Sequence, residues 1–294
     1  MKKVFFLSFL IVLAGGQQAW GDMAMLPFIP GVSLFEPKQR AMIAWNGKEE
    51  ILLLSMDLRA SQPTKVLQAI PLPSEPVVKK GDVETFRRAH VLIRRKLRPA
   101  TLGQGLQVGE IAGRGAAGEV TFHEKIGAHD ITVTHVLDSA GFIRWVEETL
   151  RAAGATNPSM PEPLEPIIAA YLREGFKWFV FDVVSLDTRP KTSEAIQFRF
   201  AAKFLYYPLK VTRTAEGQTD IDLLVLSPRL LGKFSGFPIE QVELRHPPVS
   251  ISSAELRSLN EEMDALLGHR EDMKLRVWHI FGDLSSFEKD LIAR

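Results

Sequence analysis

Seven histidines and no cysteine bound the side-chain chemistry open to this 294-residue chain. Thiol nucleophiles, thiolate metal sites and cysteine-linked haem are excluded. His123, His129 and His135 recur every six residues beside Glu124 and Asp130, a grouping of imidazoles and carboxylates that invites a metal or general-base reading. Strand geometry works against it, because six extended residues span about 20 Å, far beyond one coordination sphere. If Gly127-Ala128 is a two-residue hairpin turn, Ile126 pairs with His129 and His123 lies opposite Thr132. His123 and His129 then face opposite sides, and ordinary half-exposed strand histidines are expected. Asp220 and Asp222 share one strand face, as paired carboxylates must, but their alternation with Ile221 and Leu223 reads as a solvent face. Asp182 has apolar neighbours on both sides; desolvation would raise its pKa unless a cation such as Arg199 or Lys203 pairs with it. Buried ion pairing is the expectation there, and Asp57, between Met56 and Leu58, is a weaker case of the same kind.

Gly113, Gly115 and Gly118 match dinucleotide-binding spacing. That fingerprint needs a helix to follow, and Glu119-Val120-Thr121-Phe122 reads as strand. The zincin helix motif and the nucleophile-elbow spacing are both absent. The sequence therefore assigns no catalytic, cofactor-binding or metal-ligating residue, and implies no cofactor.

The elements that must position these groups are organised around residues 40–73. Ala41–Trp45 and Glu50–Leu58 flank Asn46-Gly47, the signature of a hairpin with a type I′ turn. Ile51–Leu54 is apolar at both parities, so a strand there must be covered on both faces. A third strand, Val66–Pro73, should end or run along a sheet edge at Pro71, which has no backbone donor. Asp82 caps a helix whose stripe is Phe86, Ala89, Ile93 and Leu97. Its other faces carry Arg87, Arg88, Arg94, Arg95 and Lys96, suited either to solvent and the helix dipole or to an anionic envelope surface. Beyond the glycine-rich stretch 103–118, Ile131–Val136 reads as strand, Ser139–Ala153 as helix, Pro166–Leu172 as a short helix and Trp178–Val184 as a doubly buried strand. Ile196–Phe204 alternates cleanly, and Ile221–Leu226 and Leu275–Phe281 are further strands. Ser252 with Glu255 forms a capping box for a helix to Leu267, and Ser285 with Glu288 suggests a final helical turn.

The N-terminus reads as a separate module. Lys2-Lys3 precede a ten-residue apolar run, Val4–Leu13, and Ala19-Trp20-Gly21 presents small residues before Asp22. That is a secretory signal peptide over residues 1–21, cut after Gly21, and the run is half the roughly 20 residues a membrane span needs. A periplasmic or extracellular protein is expected, with no integral membrane span after cleavage. The full chain has 36 basic and 35 acidic residues; without Lys2 and Lys3 the balance is 34 against 35. No concentrated basic surface follows from that, and a nucleic-acid partner is not expected. Residues 22–294 suffice for a sizeable core without disulfides.

Several segments, taken in order, resemble the domain of unknown function 2330 family, an exported bacterial and archaeal family. They are Ala41–Trp45 with Glu50–Ser55, Ala69–Pro73, Ile126–Val133, Leu137–Gly154, Gly175–Val184 and Phe204–Leu209 with its Tyr-Tyr-Pro-Leu, covering most of residues 32–226. The resemblance implies export and carries over no functional residue. Some relatives bear N-terminal cysteines or a C-terminal anchor, features not matched here. The expectation is an α+β protein, mostly antiparallel sheet with several packed helices, with a division into lobes 22–102 and 119–294 joined by 103–118 left open. Its expected role is non-catalytic binding of an envelope protein, polymer or small ligand; the alternative is an envelope hydrolase using His and carboxylate groups from separate segments.

Overall fold

The structure, a computed structural model, describes residues 23–97, 123–152, 164–214, 218–231 and 239–294, with residues 154, 155, 158, 160 and 162 between them. The expected leader and the glycine-rich stretch lie outside the described residues. In chain order the elements are β1 (Ala24–Pro27), β2 (Leu34–Trp45), β3 (Glu49–Ala60), β4 (Thr64–Leu72), β5 (Val77–Lys80), α1 (Glu84–Leu97), β6 (His123–Ile126), β7 (His129–His135), α2 (Ser139–Ala152), α3 (Leu164–Arg173) and β8 (Trp178–Leu186). There follow β9 (Lys191–Thr192), β10 (Ile196–Ala201), β11 (Leu205–Tyr207), β12 (Gln218–Ser227), β13 (Val242–Leu244), β14 (Val249–Ile251), α4 (Ser253–Leu259), α5 (Glu261–Leu266), β15 (Met273–Asp283) and β16 (Leu291–Ala293).

The chain is α+β and mostly antiparallel. One sheet has the order β1-β4-β8-β7-β6; a larger one runs β13-β15-β12-β2-β3-β10-β5, with β14 also on β15 and β9 on β3; β11 and β16 form a small third sheet. Among the described residues the parallel pair is β2–β12, which closes the centre of the large sheet. Both large sheets mix strands from before and after residues 103–118: β4 pairs with β8, and β3 with β10. A cut at that stretch would therefore sever central ladders rather than separate two cores.

Side-chain parity builds four layers. Phe179 and Phe181 point from β8 toward α2 and α3, where Phe142 packs tilted against them at 5.3 and 5.4 Å and Tyr171 meets Phe179 edge-on at 6.2 Å. Val180 and Val184 take the other face and join Leu52, Leu54 and Phe198 of the large sheet in one buried cluster. On the far side of the large sheet, Leu53, Leu224 and Val277 pack under Phe86 and Ile93 of α1, Leu256 of α4 and Met263 of α5. The order is helices, sheet, sheet, helices. This is why Ile51–Leu54 is apolar at both parities: each face of β3 meets a different core.

Local details depart from expectation where side chains intervene. The Asn46-Gly47 hairpin forms, but only Gly47 has positive φ (95°), so the turn is not type I′. Instead Asn46 Oδ1 accepts the amides of Lys48 and Glu49, both at 2.8 Å, and closes a longer loop. The capping box at Ser252 and Glu255 forms as read, yet the helix breaks at Asn260, which adopts extended φ/ψ and caps α5 through Met263 N–H. The final turn is a 3-10 segment, Leu284–Ser286, capped by Asp283. No helix among the described residues is long and apolar enough to cross a membrane.

Candidate functional site

The β6–β7 hairpin and the β7–β8 ladder set the site. Ile126 pairs with His129 and His123 with Thr132, the register expected of a turn at Gly127-Ala128. Across the next ladder Ile131 stands opposite Asp182 and His129 opposite Val184, so Asp182 and His129 share the face that packs on the large sheet. There they bond: His129 Nδ1 meets Asp182 Oδ2, and the Asp130 amide donates to Asp182 Oδ1 at 3.1 Å. Both are buried, His129 at 1% and Asp182 at 6% exposure. Desolvation pushes the Asp182 carboxyl above its ordinary range, against the lowering effect of the His129 bond. With Asp182 ionised and the imidazole neutral, Nδ1 donates to Oδ2 and Nε2 presents a lone pair. Nε2 is buried and has no hydrogen-bond partner among the described residues.

His129 lines two spaces. A cavity of about 10 Å³, walled by Leu54, Met56 and Phe198, lies on the inner side. An open pocket of about 400 Å³ is also lined by His129, with Leu58, Gly127, Val184, Lys191, Ser193 and Glu194. Ser193 Oγ accepts the Met56 amide at 3.1 Å, and Glu194 pairs with Lys80 at 2.8 Å. The Lys80 bond comes first among the causes that hold the Glu194 carboxyl below its usual range.

Gly127 (φ 61°) makes this arrangement possible, since a Cβ there would lie 1.3 Å from Glu194 Oε2. Gly127→Ala is expected to expel the Glu194 carboxylate, break the Lys80 pair and cost about 1–2 kcal/mol through backbone strain alone. Urea melts of the variant read the cost, and an unchanged midpoint would show that the turn tolerates a side chain.

The other residues singled out above are dispersed. His135 packs tilted against Trp178 at 4.7 Å, at the far end of β7 from His129. His123 lies on β6, across the ladder from Thr132. His129 and His135 do not converge. Arg199 is not the partner of Asp182; it forms a forked pair with Glu49 at 3.2 and 3.1 Å. Lys203 lines a separate pocket of about 420 Å³ with Lys48, Phe176 and Phe204. Burial would raise Asp57, but Arg40, bonded at 3.2 and 3.1 Å, and Thr192 at 2.7 Å hold it low. Asp222, read as solvent-facing, is buried and paired with Lys38 at 3.1 Å, while Asp220 is exposed.

Most of the basic face of α1 is spent internally. Arg87 pairs with Glu84, Arg88 with Asp82 and the Leu259 carbonyl, and Arg95 and Lys96 both with Glu255 of α4. These bonds tie α1 to α4 rather than offering a free cationic stripe.

No curated protein matches this chain. Among solved structures, the likeness extends to the crystal structure of baculovirus P35 at TM-score 0.43 and 10% identity, covering 90% of this chain and 97% of that one. The caspase-8/P35 complex gives TM-score 0.40 at 9% identity over 88% and 96%, and a mutated baculovirus P35 after caspase cleavage gives 0.38 at 9% over 88% and 99%. The family comparison is more direct, with a match over residues 28–233 that spans both ladders holding His129 and Asp182. On that match the chain belongs to DUF2330, the family described as uncharacterized protein conserved in bacteria.

Proposed function

We propose that this protein is exported and acts outside the cytoplasm as a non-catalytic binding protein, holding a small polar ligand in the pocket at His129. The observation that carries the reading is the buried, unpartnered Nε2 of His129, a residue that lines that pocket. A buried acceptor left without a donor is costly, and a ligand hydroxyl or amide N–H would satisfy it. Leu58 and Val184 offer apolar contact for the rest of such a ligand, and Lys191 and Glu194 a polar rim. The leader over residues 1–21 supports export. Ser193 Oγ is engaged by the Met56 amide and not by His129, so a nucleophile–base pair is not assembled.

The probe is N-acetylglucosamine, which carries hydroxyl and amide donors beside a methyl group. Titrated into histidine-labelled protein, it should move the His129 Nε2 resonance of the wild type and leave His129→Phe without saturable binding. Equal shifts in both proteins, or none in the wild type, would remove this reading. Recovery of the chain in the cytosol still beginning at Met1 would remove the export half. The Asp182–His129 dyad also supports a second reading, an envelope hydrolase in which Nε2 takes a proton from a water in the pocket. Turnover of p-nitrophenyl acetate that vanishes in folded His129→Gln would favour that alternative.

A further inference from the structure

A second cluster lies on the opposite side of the large sheet. The antiparallel register of β12 and β15 puts Asp222 directly across from His279, and Asp220 across from Phe281. Their side chains share the face on which Leu224 and Val277 pack under the helices, at the end those leucine and valine positions do not reach. His279 is 8% exposed, and its Nδ1 has no hydrogen-bond partner among the described residues. That nitrogen stands 3.8 Å from Asp220 Oδ1 and 3.7 Å from Asp222 Oδ1, beyond hydrogen-bond distance. One donor atom from each residue falls within 4.8 Å of the others. We propose that Asp220, Asp222 and His279 bind a divalent first-row transition cation of the zinc class.

The geometry suits such an ion. Zinc bonds of about 2.0–2.1 Å place tetrahedral donors roughly 3.3 Å apart, so the nitrogen at 3.8 and 3.7 Å from the two oxygens needs only close by a few tenths of an ångström on each. An imidazole donor favours zinc-like cations over calcium or magnesium, which prefer all-oxygen shells. The Phe281 ring stacks on His279 at 5.1 Å and 25°, fixing the imidazole plane. Lys38 holds Asp222 Oδ2 at 3.1 Å, leaving Oδ1 to turn to the ion, as an outer partner of a ligating carboxylate does. Asp220 is exposed, so water completes the coordination.

The surrounding charges permit a cation. Arg40, on the same face of β2, is neutralised by its forked pair with Asp57. His90 on α1 is pushed down by burial. Glu243 of β13 stands across from His279 and is paired with Arg245 at 4.0 Å. Two carboxylates against one lysine leave the set net negative.

The test uses the full chain stripped with a chelator and titrated with zinc chloride by calorimetry, with cobalt chloride as an optical reporter. The wild type should take one equivalent. Asp220→Asn and His279→Gln should each weaken binding at least ten-fold, while His135→Gln leaves it unchanged. Asp220→Asn alters an exposed residue, so loss of binding there is not loss of the fold. The proposal is overturned if the wild type shows no saturable binding, or if both site variants bind as tightly as the wild type.

Discussion

Asp290→Ala is expected to lower the unfolding free energy by about 4 kcal/mol, enough to be decisive for a protein of ordinary stability. Asp290 is buried, and its Oδ1 accepts three donors: the amides of Leu209 and Lys210 at 2.9 and 2.8 Å, and the Tyr171 hydroxyl at 2.8 Å. Tyr206 OH lies 3.4 Å from Oδ2 but 3.1 Å from the Pro71 carbonyl, and with one proton to give it favours Pro71. Burial raises the Asp290 carboxyl, and the nearby Lys210 charge is the main opposing influence. Alanine removes the acceptor and strands three buried donors at about 1–3 kcal/mol each; the sum is reduced as water enters. Asp290→Asn keeps an acceptor oxygen and should cost about half as much. Urea denaturation with an unchanged slope reads both variants. A loss under about 1 kcal/mol for alanine would show that this carboxylate does not clamp the C-terminal strand to the 205–210 segment.

The second large effect concerns the pair between the sheets. Asp182→Ala should cost about 3–5 kcal/mol, because His129 keeps its place with both ring nitrogens unpaired and the Asp130 amide loses its acceptor. Replacing both partners by apolar groups, His129→Phe with Asp182→Leu, should recover most of that loss, since nothing polar is left to solvate. Additive losses in the double variant would show that the two side chains do not act as a pair. The pH dependence has an unusual sign for a carboxylate. Because the folded value is raised above 3.8, the contribution of Asp182 is complete below the unfolded value and is lost as pH rises through the folded one. Asp57, whose carboxyl is held low, behaves oppositely: its contribution is present above 3.8 and is lost as pH falls through the folded value.

What was legible in the sequence was local. The Asn46-Gly47 hairpin, the capping box at Ser252, the β6–β7 register and the doubly buried strands all follow from patterns a few residues long. The bond between His129 and Asp182 spans 53 residues and depends on a ladder register that alternation alone does not specify, so Arg199 and Lys203 were as plausible as partners. Asp222 misled for a related reason: its alternation with Ile221 and Leu223 is a real two-faced pattern, but both faces are covered, one by a second core and one by Lys38 and His279. The strand β16 carries only three residues, too short for periodicity to register, although it holds the C-terminus through β11. The separation of helices onto opposite outer layers left no trace in spacing either, because an amphipathic stripe says what a helix buries and not which sheet it buries it on.

The parallel ladder between β2 and β12 has a kinetic corollary. Residue 39 cannot find residue 221 until most of the polypeptide exists, and that closure is a costly long loop rather than a turn. A nascent or truncated chain ending before residue 218 would display the long, greasy flank of β2 with nothing hydrogen-bonded to it, an invitation to self-association. Folding of this molecule should therefore be slow and completed late.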